Sequence, residues 1–415
     1  MKANARIFGT VLALGAGALV LRPASALASG YEFDGVGARA VARGGAVIAD
    51  APDWTAIYWN PANLTDVTRR QAGLELKAGK SYTHDGDSFD INGAGGIFSK
   101  KNGGSSFFFG SAGAVTPLTD GSALGFGVYL PLLQGADFSD DRPLSPGFSG
   151  IDYKGHLGIA VANVSYARRL TGRLSGAVGL DLVYGALSSD LDLGYYLPGP
   201  TPDTLKRKLE GDGFGVEGVL GAKYKVSDRL SLGAVFRSGA RVDIKGDAKA
   251  SDVYGGSEST DFKFLLKQPP TSGVGAAWRY RSDLTFTCDF TQTWWRGFSD
   301  KTTYAQQGPL LSDTPNTFDW KNSWKLRAGA LWNYSRDTDL MFGYAYDTPA
   351  IDARSLDLST AVDVPMHRVS AAVSHRWGDV EGTLAGLGGY NTRTAGGVHY
   401  SLGGWYFLGE LTYTF

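Results

Sequence analysis

Residues 174–184 read LSGAVGLDLVY, with leucine, valine and tyrosine on even positions and small or polar residues on most odd ones. A strand with this pattern carries large apolar side chains on one face and small or polar side chains on the other. The alternation covers about ten residues, whereas a strand in a soluble protein usually has about five or six. Alternating segments of this length are typical of a transmembrane β-barrel.

The same pattern recurs later in the chain, in residues 230–237, 284–291 and 405–415. In the last of these, Trp405, Phe407 and Leu411 share one face, and Glu410 and Thr412 share the other. The sequence therefore predicts an all-β, antiparallel transmembrane barrel that extends from residue 70 to residue 415.

Short and long connections take turns between these segments. Short turns are predicted at residues 119–121, 171–173, 227–229, 281–283, 335–339 and 377–379. Long polar loops are predicted at residues 84–104, 135–153, 189–211, 246–260, 300–317, 348–364 and 391–400. Thirteen connections join about 14 strands, an even number as in bacterial barrels, and leave both ends on the periplasmic side. A soluble β-sandwich would not explain the strict alternation.

Composition supports this fold and excludes other classes. The 415 residues include 58 Gly, a high share that suits a large β structure. The 40 Lys+Arg and 41 Asp+Glu give a net charge of -1, so the chain offers nucleic acid little positive charge to bind. A single cysteine excludes an intramolecular disulfide and a Cys-based zinc site. The five histidines lack metal-ligand spacing, so we predict neither a metal nor a cofactor.

The N-terminus is typical of a secretory signal peptide. Lys2 and Arg6 precede an apolar stretch, and Ala26-Leu27-Ala28 forms a cleavage site, so we expect residues 1–28 to be removed. Residues 29–69 do not alternate and are rich in glycine. Because 14 strands enclose more space than their own side chains fill, we predict that residues 29–69 form a plug, or hatch, inside the lumen.

Several of these stretches carry a family resemblance. Gly30-Tyr31-Glu32-Phe33, residues 37–50, Asn60-Pro61-Ala62 and Trp294-Trp295-Arg296-Gly297-Phe298 resemble the FadL/TodX-type outer-membrane transporters of long-chain fatty acids and aromatic hydrocarbons. The resemblance implies a 14-stranded barrel with an N-terminal hatch that takes up hydrophobic small molecules. It also implies a transporter rather than an enzyme, located in the bacterial outer membrane.

The resemblance implies a ligand pocket above the hatch and a lateral opening at a kinked third strand. Pro131, followed by Gly135, lies in the predicted third strand, where a proline cannot donate a ladder hydrogen bond. We therefore expect a break in the wall there, although Pro131 could instead begin the next loop. Gly30, Tyr31 and Phe33 match the family segment that reaches the pocket. Asn60, Pro61 and Ala62 are expected mainly to hold the shape of the hatch.

The extracellular mouth carries apolar residues where loops are normally polar, and these could form a first ligand groove. They include Phe138, Phe148, Leu193 and Tyr195. A ligand carboxylate would need a cationic partner, for which Lys301 is the candidate. The basic run of residues 206–208 suits either lipopolysaccharide phosphate or ligand carboxylates. A fatty acid and a neutral aromatic or alkane ligand both remain open.

A general diffusion porin for polar solutes is the main alternative, and an open lumen would favour it. An enzyme is not predicted, because Ser370 and Ser374 near His367 and His375 have no orienting third group. We expect a monomer that contacts outer-membrane lipid and lipopolysaccharide. The terminal Phe415 suits recognition by the barrel-assembly machinery.

Overall fold

The computed structural model describes residues 34–85, 103–140, 148–196, 202–252, 254–299, 301–313, 319–353, 363–395 and 398–415. Seventeen strand segments form one antiparallel sheet. They are β1 (Gln71–Asp85), β2 (Gly103–Pro117), β3 (Ser122–Asp140), β4 (Phe148–Arg169), β5 (Leu174–Tyr196), β6 (Pro202–Lys225), β7 (Leu230–Arg237), β8 (Arg241–Ser251), β9 (Ser257–Lys267), β10 (Thr271–Arg281), β11 (Leu284–Thr293), β12 (Thr302–Tyr304), β13 (Ser323–Asn333), β14 (Thr338–Asp347), β15 (Met366–Trp377), β16 (Val380–Ala395) and β17 (Val398–Thr414).

Helices are few and short. The α-helices are α1 (Ala38–Ala42) and α2 (Ala56–Trp59), and 3₁₀ turns cover Pro61–Asp66 and Trp295–Gly297. Within the described ranges, no helix is long and apolar enough to cross a membrane.

The sheet closes on itself, because β1 pairs with β2 on one side and with β17 on the other. The segments β7 and β8 both pair with β6 and are two parts of one barrel strand. In the same way, β10 and β9 continue each other, as do β11 and β12. The seventeen segments therefore make fourteen strands, which confirms the predicted closed barrel.

Side chains alternate between the membrane and the lumen as predicted. Leu180 and Leu182 are 54% and 40% exposed, whereas Asp181 between them is fully buried inside. Exposed aromatic rings such as Trp377 and Tyr413 lie near the short-turn end of the wall. An apolar outer band flanked by aromatic residues is what lipid contact requires.

The short turns are confirmed, but several of the long loops, such as those predicted at 135–153 and 189–211, are shorter than predicted. β3 continues to Asp140, β4 begins at Phe148, β5 continues to Tyr196 and β6 begins at Pro202. The placement of Phe138, Phe148, Leu193 and Tyr195 in loops was therefore wrong, since their backbones lie in strands. Glycine, proline and serine favour loops by composition, but here the ladder hydrogen bonds continue beyond the membrane. On the outer face of this extension, Lys206 pairs with Asp192 at 3.2 Å.

The hatch segment, residues 34–66, lies inside the barrel. Almost all of its large apolar side chains are buried, among them Val36, Val41, Ile48, Trp54, Ile57 and Leu64. The wall makes room for it with glycines. A Cβ at Gly73 would lie 2.0 Å from the Trp54 Nε1 atom, and a Cβ at Gly343 would lie 1.9 Å from the Gly44 nitrogen. The high glycine content is thus explained in part by close contact between hatch and wall.

Among the irregularities of the wall in the described residues, a bulge in β3 and two neighbouring strand breaks concern the lumen. In β3, Tyr129 pairs with Val161 and Leu132 with Ile159, so Leu130 and Pro131 bulge out of register. Residues 238–240 separate β7 from β8, and residues 268–270 separate β9 from β10. Because the barrel strand made of β7 and β8 pairs with the one made of β10 and β9, their two breaks lie side by side.

Candidate functional site: a cavity above the hatch

Carboxylates on the inner wall hold the hatch segment in place. Glu75 accepts a hydrogen bond from the Gly37 backbone N–H, and Glu410 accepts one from the Ala38 N–H at 2.6 Å. Glu410 also accepts from the Trp54 Nε1–H at 2.9 Å. Register places Glu75 and Glu410 opposite each other where β1 meets β17. The hatch therefore begins on a pair of wall carboxylates at the closing seam of the barrel.

Ion pairs fix the rest of the hatch to the wall. Arg39 pairs with Asp339 at 2.9 Å and with Glu381 at 2.7 Å. Burial alone would lower the pKa of Arg39, but these two carboxylates raise it overall, so the side chain stays charged. At the hatch's end, Asp66 lies 2.6 Å from Lys223 Nζ. Burial opposes the effect, but Lys223 and Lys225 lower the pKa of Asp66 below its ordinary value.

Asn60 shapes the turn between α2 and the first 3₁₀ helix. Its side-chain oxygen accepts from the Ala62 N–H at 3.1 Å, and its amide donates to the Ile48 carbonyl at 2.8 Å and to the Ala222 carbonyl at 3.0 Å. Pro61 occupies the first position of that 3₁₀ helix. Asn60, Pro61 and Ala62 are all buried in contacts within the hatch and with the wall.

A cavity of about 90 Å³ lies directly above the hatch. Its floor is formed by Ile48, Tyr58 and Trp59 of the hatch. Apolar wall residues, which include Ile159, Val161, Val235, Leu266, Trp295 and Phe298, form most of its sides. Such a lining suits an apolar ligand.

Four charged residues of the wall also line this cavity: Glu217, Arg237, Lys325 and Arg327. Arg237 lies 3.2 Å from Glu217 and 2.8 Å from Asp181, so its charge is balanced. On the other side, the Arg327 guanidinium lies 5.5 Å from the ring centre of Trp59. The cavity is therefore apolar in bulk, with an ionic cluster around Arg237 and with Lys325 and Arg327 also in its lining.

The cavity reaches the wall at the bulge in β3, because Tyr129 and Pro131 both line it. Pairing between β2 and β3 runs from Pro117/Ala123 to Ala112/Val128, and among the described residues it does not continue above that point. β2 goes on pairing with β1 as far as Gly103, and β3 with β4 as far as Asp140. The two strands thus separate beside Pro131.

Apolar side chains fill the space where the strands separate. Leu130, although it belongs to the bulge, is only 8% exposed. It shares one buried cluster with Phe107 and Phe109 of β2. The gap in hydrogen bonding is therefore covered by side chains and not by backbone.

The other predicted site residues lie in different places. Gly30, Tyr31 and Phe33 fall outside the described residues, as does the predicted signal peptide. Gly135 continues β3 above the bulge and pairs with His156. Leu193 is half-buried in β5, and the exposed Lys301 does not line the cavity. Their ligand contacts, and those of Phe138, Phe148 and Tyr195, stay predictions.

Sequence reasoning missed the charged residues of the cavity. Arg237, Lys325 and Arg327 each occupy an inward position of an alternating strand, where a small or polar residue is the rule. A charged residue on the inward phase, such as Lys325 and Arg327 two residues apart in β13, was the available signal. Which of them meet in space depends on register and on where the hatch sits.

Comparison with known proteins identifies the family. The family described as outer membrane protein transport protein (OMPP1/FadL/TodX) matches residues 20–366. The chain belongs to the FadL/TodX family. It is therefore an outer-membrane protein and a member of a transport family, and a porin is not favoured.

Solved structures of FadL/TodX members share this fold. A Pseudomonas aeruginosa FadL homologue aligns with 16% identity and a TM-score of 0.77, over 93% of this chain and 99% of that one. The P. putida toluene transporter TodX aligns with 19% identity and a TM-score of 0.71, over 92% and 99%. The Ralstonia pickettii toluene transporter TbuX aligns with 17% identity and a TM-score of 0.67, over 92% and 99%. Among curated protein sequences, none matches significantly.

Proposed function

We propose that this protein carries hydrophobic small molecules across the outer membrane, through the cavity above the hatch and then sideways into the membrane beside Pro131. The observation that carries the proposal is that Pro131 lines the cavity at the point where β2 and β3 stop pairing. On one side of the cavity, therefore, no backbone hydrogen bonds join β2 to β3, and lipid lies on the other side of this part of the wall.

A lateral route avoids a large energetic cost. Moving apolar surface into water costs about 25 cal/mol per Å², or about 5 kcal/mol for a ligand with roughly 200 Å² of apolar surface. A ligand that passes from the cavity directly into lipid does not meet this cost. A vertical route would also need the hatch segment to leave its buried contacts with the wall.

The ligand's chemical class follows from the lining. The apolar floor and sides suit an aromatic or aliphatic body, and TodX and TbuX are described as toluene transporters. Lys325 and Arg327 in the lining of the cavity would in addition suit a carboxylate, as on a long-chain fatty acid. We therefore propose both a neutral aromatic and a fatty acid as ligands to be tested, with Gly30, Tyr31 and Phe33 reaching the ligand from the N-terminus.

The test is uptake of radiolabelled toluene and radiolabelled oleate by cells that carry this protein as their one hydrophobic-compound channel. The proposal predicts uptake above that of cells with an empty vector for at least one probe. It also predicts little steady ion current from the purified protein in planar bilayers. Uptake equal to the empty-vector control, or large steady currents, would reject hydrophobic transport in favour of a porin.

Several further expectations belong to the same proposal. Residues 1–28 are removed on export, and the assembly machinery reads the C-terminal Phe415. The mature protein acts as a monomer whose extended outer face meets lipopolysaccharide. No step of this function needs a cofactor or a catalytic residue.

A further inference from the structure

Five polar side chains form an inner belt across five neighbouring strands. The belt consists of Tyr129 on β3, Asn163 on β4, Asp181 on β5, Glu217 on β6 and Arg237 on β7. Register places Asn163 beside Asp181, and Asp181 beside Glu217. The belt lies at the level of the cavity, which Tyr129, Glu217 and Arg237 line.

Asp181 is the centre of the belt. It is fully buried and accepts hydrogen bonds from the Tyr129 hydroxyl at 3.0 Å, from Arg237 at 2.8 Å and from the Asn163 amide. A carboxylate without water is tolerated only when donors surround it. The Tyr129 hydroxyl is one of these donors and is therefore held firmly.

The belt also joins the parts of the protein that would have to move. Arg237 donates to the backbone carbonyl of Tyr58 in the hatch helix α2. Glu217 accepts from the Gly239 N–H at 3.2 Å, at the break between β7 and β8. Tyr129 directly precedes the bulged residues in β3. One hydrogen-bonded network thus spans the hatch, the strand break and the bulge.

Two tyrosine rings line the cavity beside the bulge. Tyr58 and Tyr129 meet edge to face, with ring centres 5.2 Å apart, and Arg237 lies 5.2 Å from the Tyr58 ring centre. Both rings line the cavity together with Pro131. A ligand that leaves beside Pro131 therefore passes next to these two rings.

We infer that the inner belt is a latch on the lateral exit, and that the hydrogen bond from Tyr129 to Asp181 keeps the exit closed between transport events. This inference rests on the proposed function and adds the residues that control its rate. When the phenol leaves Asp181, the strand segment with the bulge is free to move away from the hatch. Hatch movement acts on the same latch through Arg237.

The test is the variant Tyr129→Phe, which keeps the ring and removes only the hydroxyl. A hydrogen bond to a charged group is stabilising enough that its loss is expected to raise the maximal uptake rate about tenfold. Binding of the same probe, toluene or oleate, to the purified protein is expected to change by less than about twofold, because the apolar lining is intact. Heat-modifiable electrophoretic mobility checks that the barrel is assembled.

Ser175→Ala is the matched control. It removes a buried hydroxyl that hydrogen-bonds the hatch residue Thr65 at 2.8 Å. Ser175 lies near the start of β5, at the short-turn end of the wall, and is not part of the inner belt. Its uptake rate is expected to equal that of the wild type. Should Tyr129→Phe fail to assemble, Arg237→Lys tests the latch from the hatch side, since an ammonium cannot reproduce the guanidinium's contacts with Asp181, Glu217 and Tyr58 together.

The outcomes separate the latch from the proposed function. Faster uptake with unchanged binding in Tyr129→Phe, or faster uptake in Arg237→Lys, and in neither case in Ser175→Ala, supports the latch. Wild-type uptake well above the empty-vector control, with the belt variants at or below the wild-type rate, overturns the latch and leaves the function standing. Wild-type uptake equal to the control overturns the function itself.

Discussion

Removing the Trp54 side chain is expected to loosen the hatch and let ions leak through the barrel. Trp54 is fully buried, packs on Gly73 and donates to Glu410 at 2.9 Å. Replacing a buried tryptophan by alanine costs about 3–5 kcal/mol, and the loss also leaves one Glu410 oxygen without this donor. Since each 1.4 kcal/mol is a factor of ten, the fraction of molecules with a displaced hatch rises by about a thousandfold.

Planar-bilayer recording measures the fraction of molecules with a displaced hatch, because a displaced hatch opens an aqueous path for ions through a fourteen-stranded barrel. Trp54→Ala is expected to show frequent openings where the wild type is almost silent. Trp377→Ala is the control, since Trp377 is 61% exposed on the outer face of the wall, whereas the hatch lies in the lumen. A correctly assembled Trp54→Ala protein that stays as silent as the wild type would refute the view that packed hatch contacts close the lumen.

Three further changes test other parts of the account. Pro131→Val is expected to restore strand pairing and slow uptake several-fold in an assembled barrel, and unchanged uptake would count against the lateral exit. Arg327→Gln is expected to weaken oleate binding about tenfold and toluene binding by less than about twofold, measured on the purified protein, whereas equal losses would contradict a carboxylate subsite. The lowered pKa of Asp66 means that its contact with Lys223 stabilises the fold above the ordinary pKa and is lost as the pH falls through the lowered value. The wild type should therefore lose about 2 to 4 °C of Tm more than Asp66→Asn between pH 6 and pH 2, and parallel curves would exclude this role.

The barrel was predictable because its pattern is local. In LSGAVGLDLVY, each residue's side of the wall follows from its parity, and the short turns follow from polar residues between alternating runs. The extent of the strands above the membrane was not predictable in this way. There glycine, proline and charged residues interrupt the apolar pattern, so residues 135–153 and 189–211 have loop-like composition although their backbones largely continue the ladder.

The cavity required information that no single segment contains. Asp181 was visible as a polar residue on an inward face, but its partner Arg237 is 56 residues away and meets it only through the register of three strands. The break at Gln268-Pro269-Pro270 was present in the sequence as two prolines, yet its effect depends on the neighbouring break at residues 238–240. Pro131 gave a local signal that needs no neighbouring strand, because proline removes a ladder hydrogen bond wherever it stands.

The most direct test of hydrophobic transport through this cavity is a crystal structure of the protein soaked with 4-bromotoluene, with the bromine located by its anomalous scattering. The account predicts a bromine peak above the hatch, between Trp59, Arg237 and Pro131. Bromine found only on the outer, lipid-facing surface, with the cavity empty at saturating probe, would contradict it.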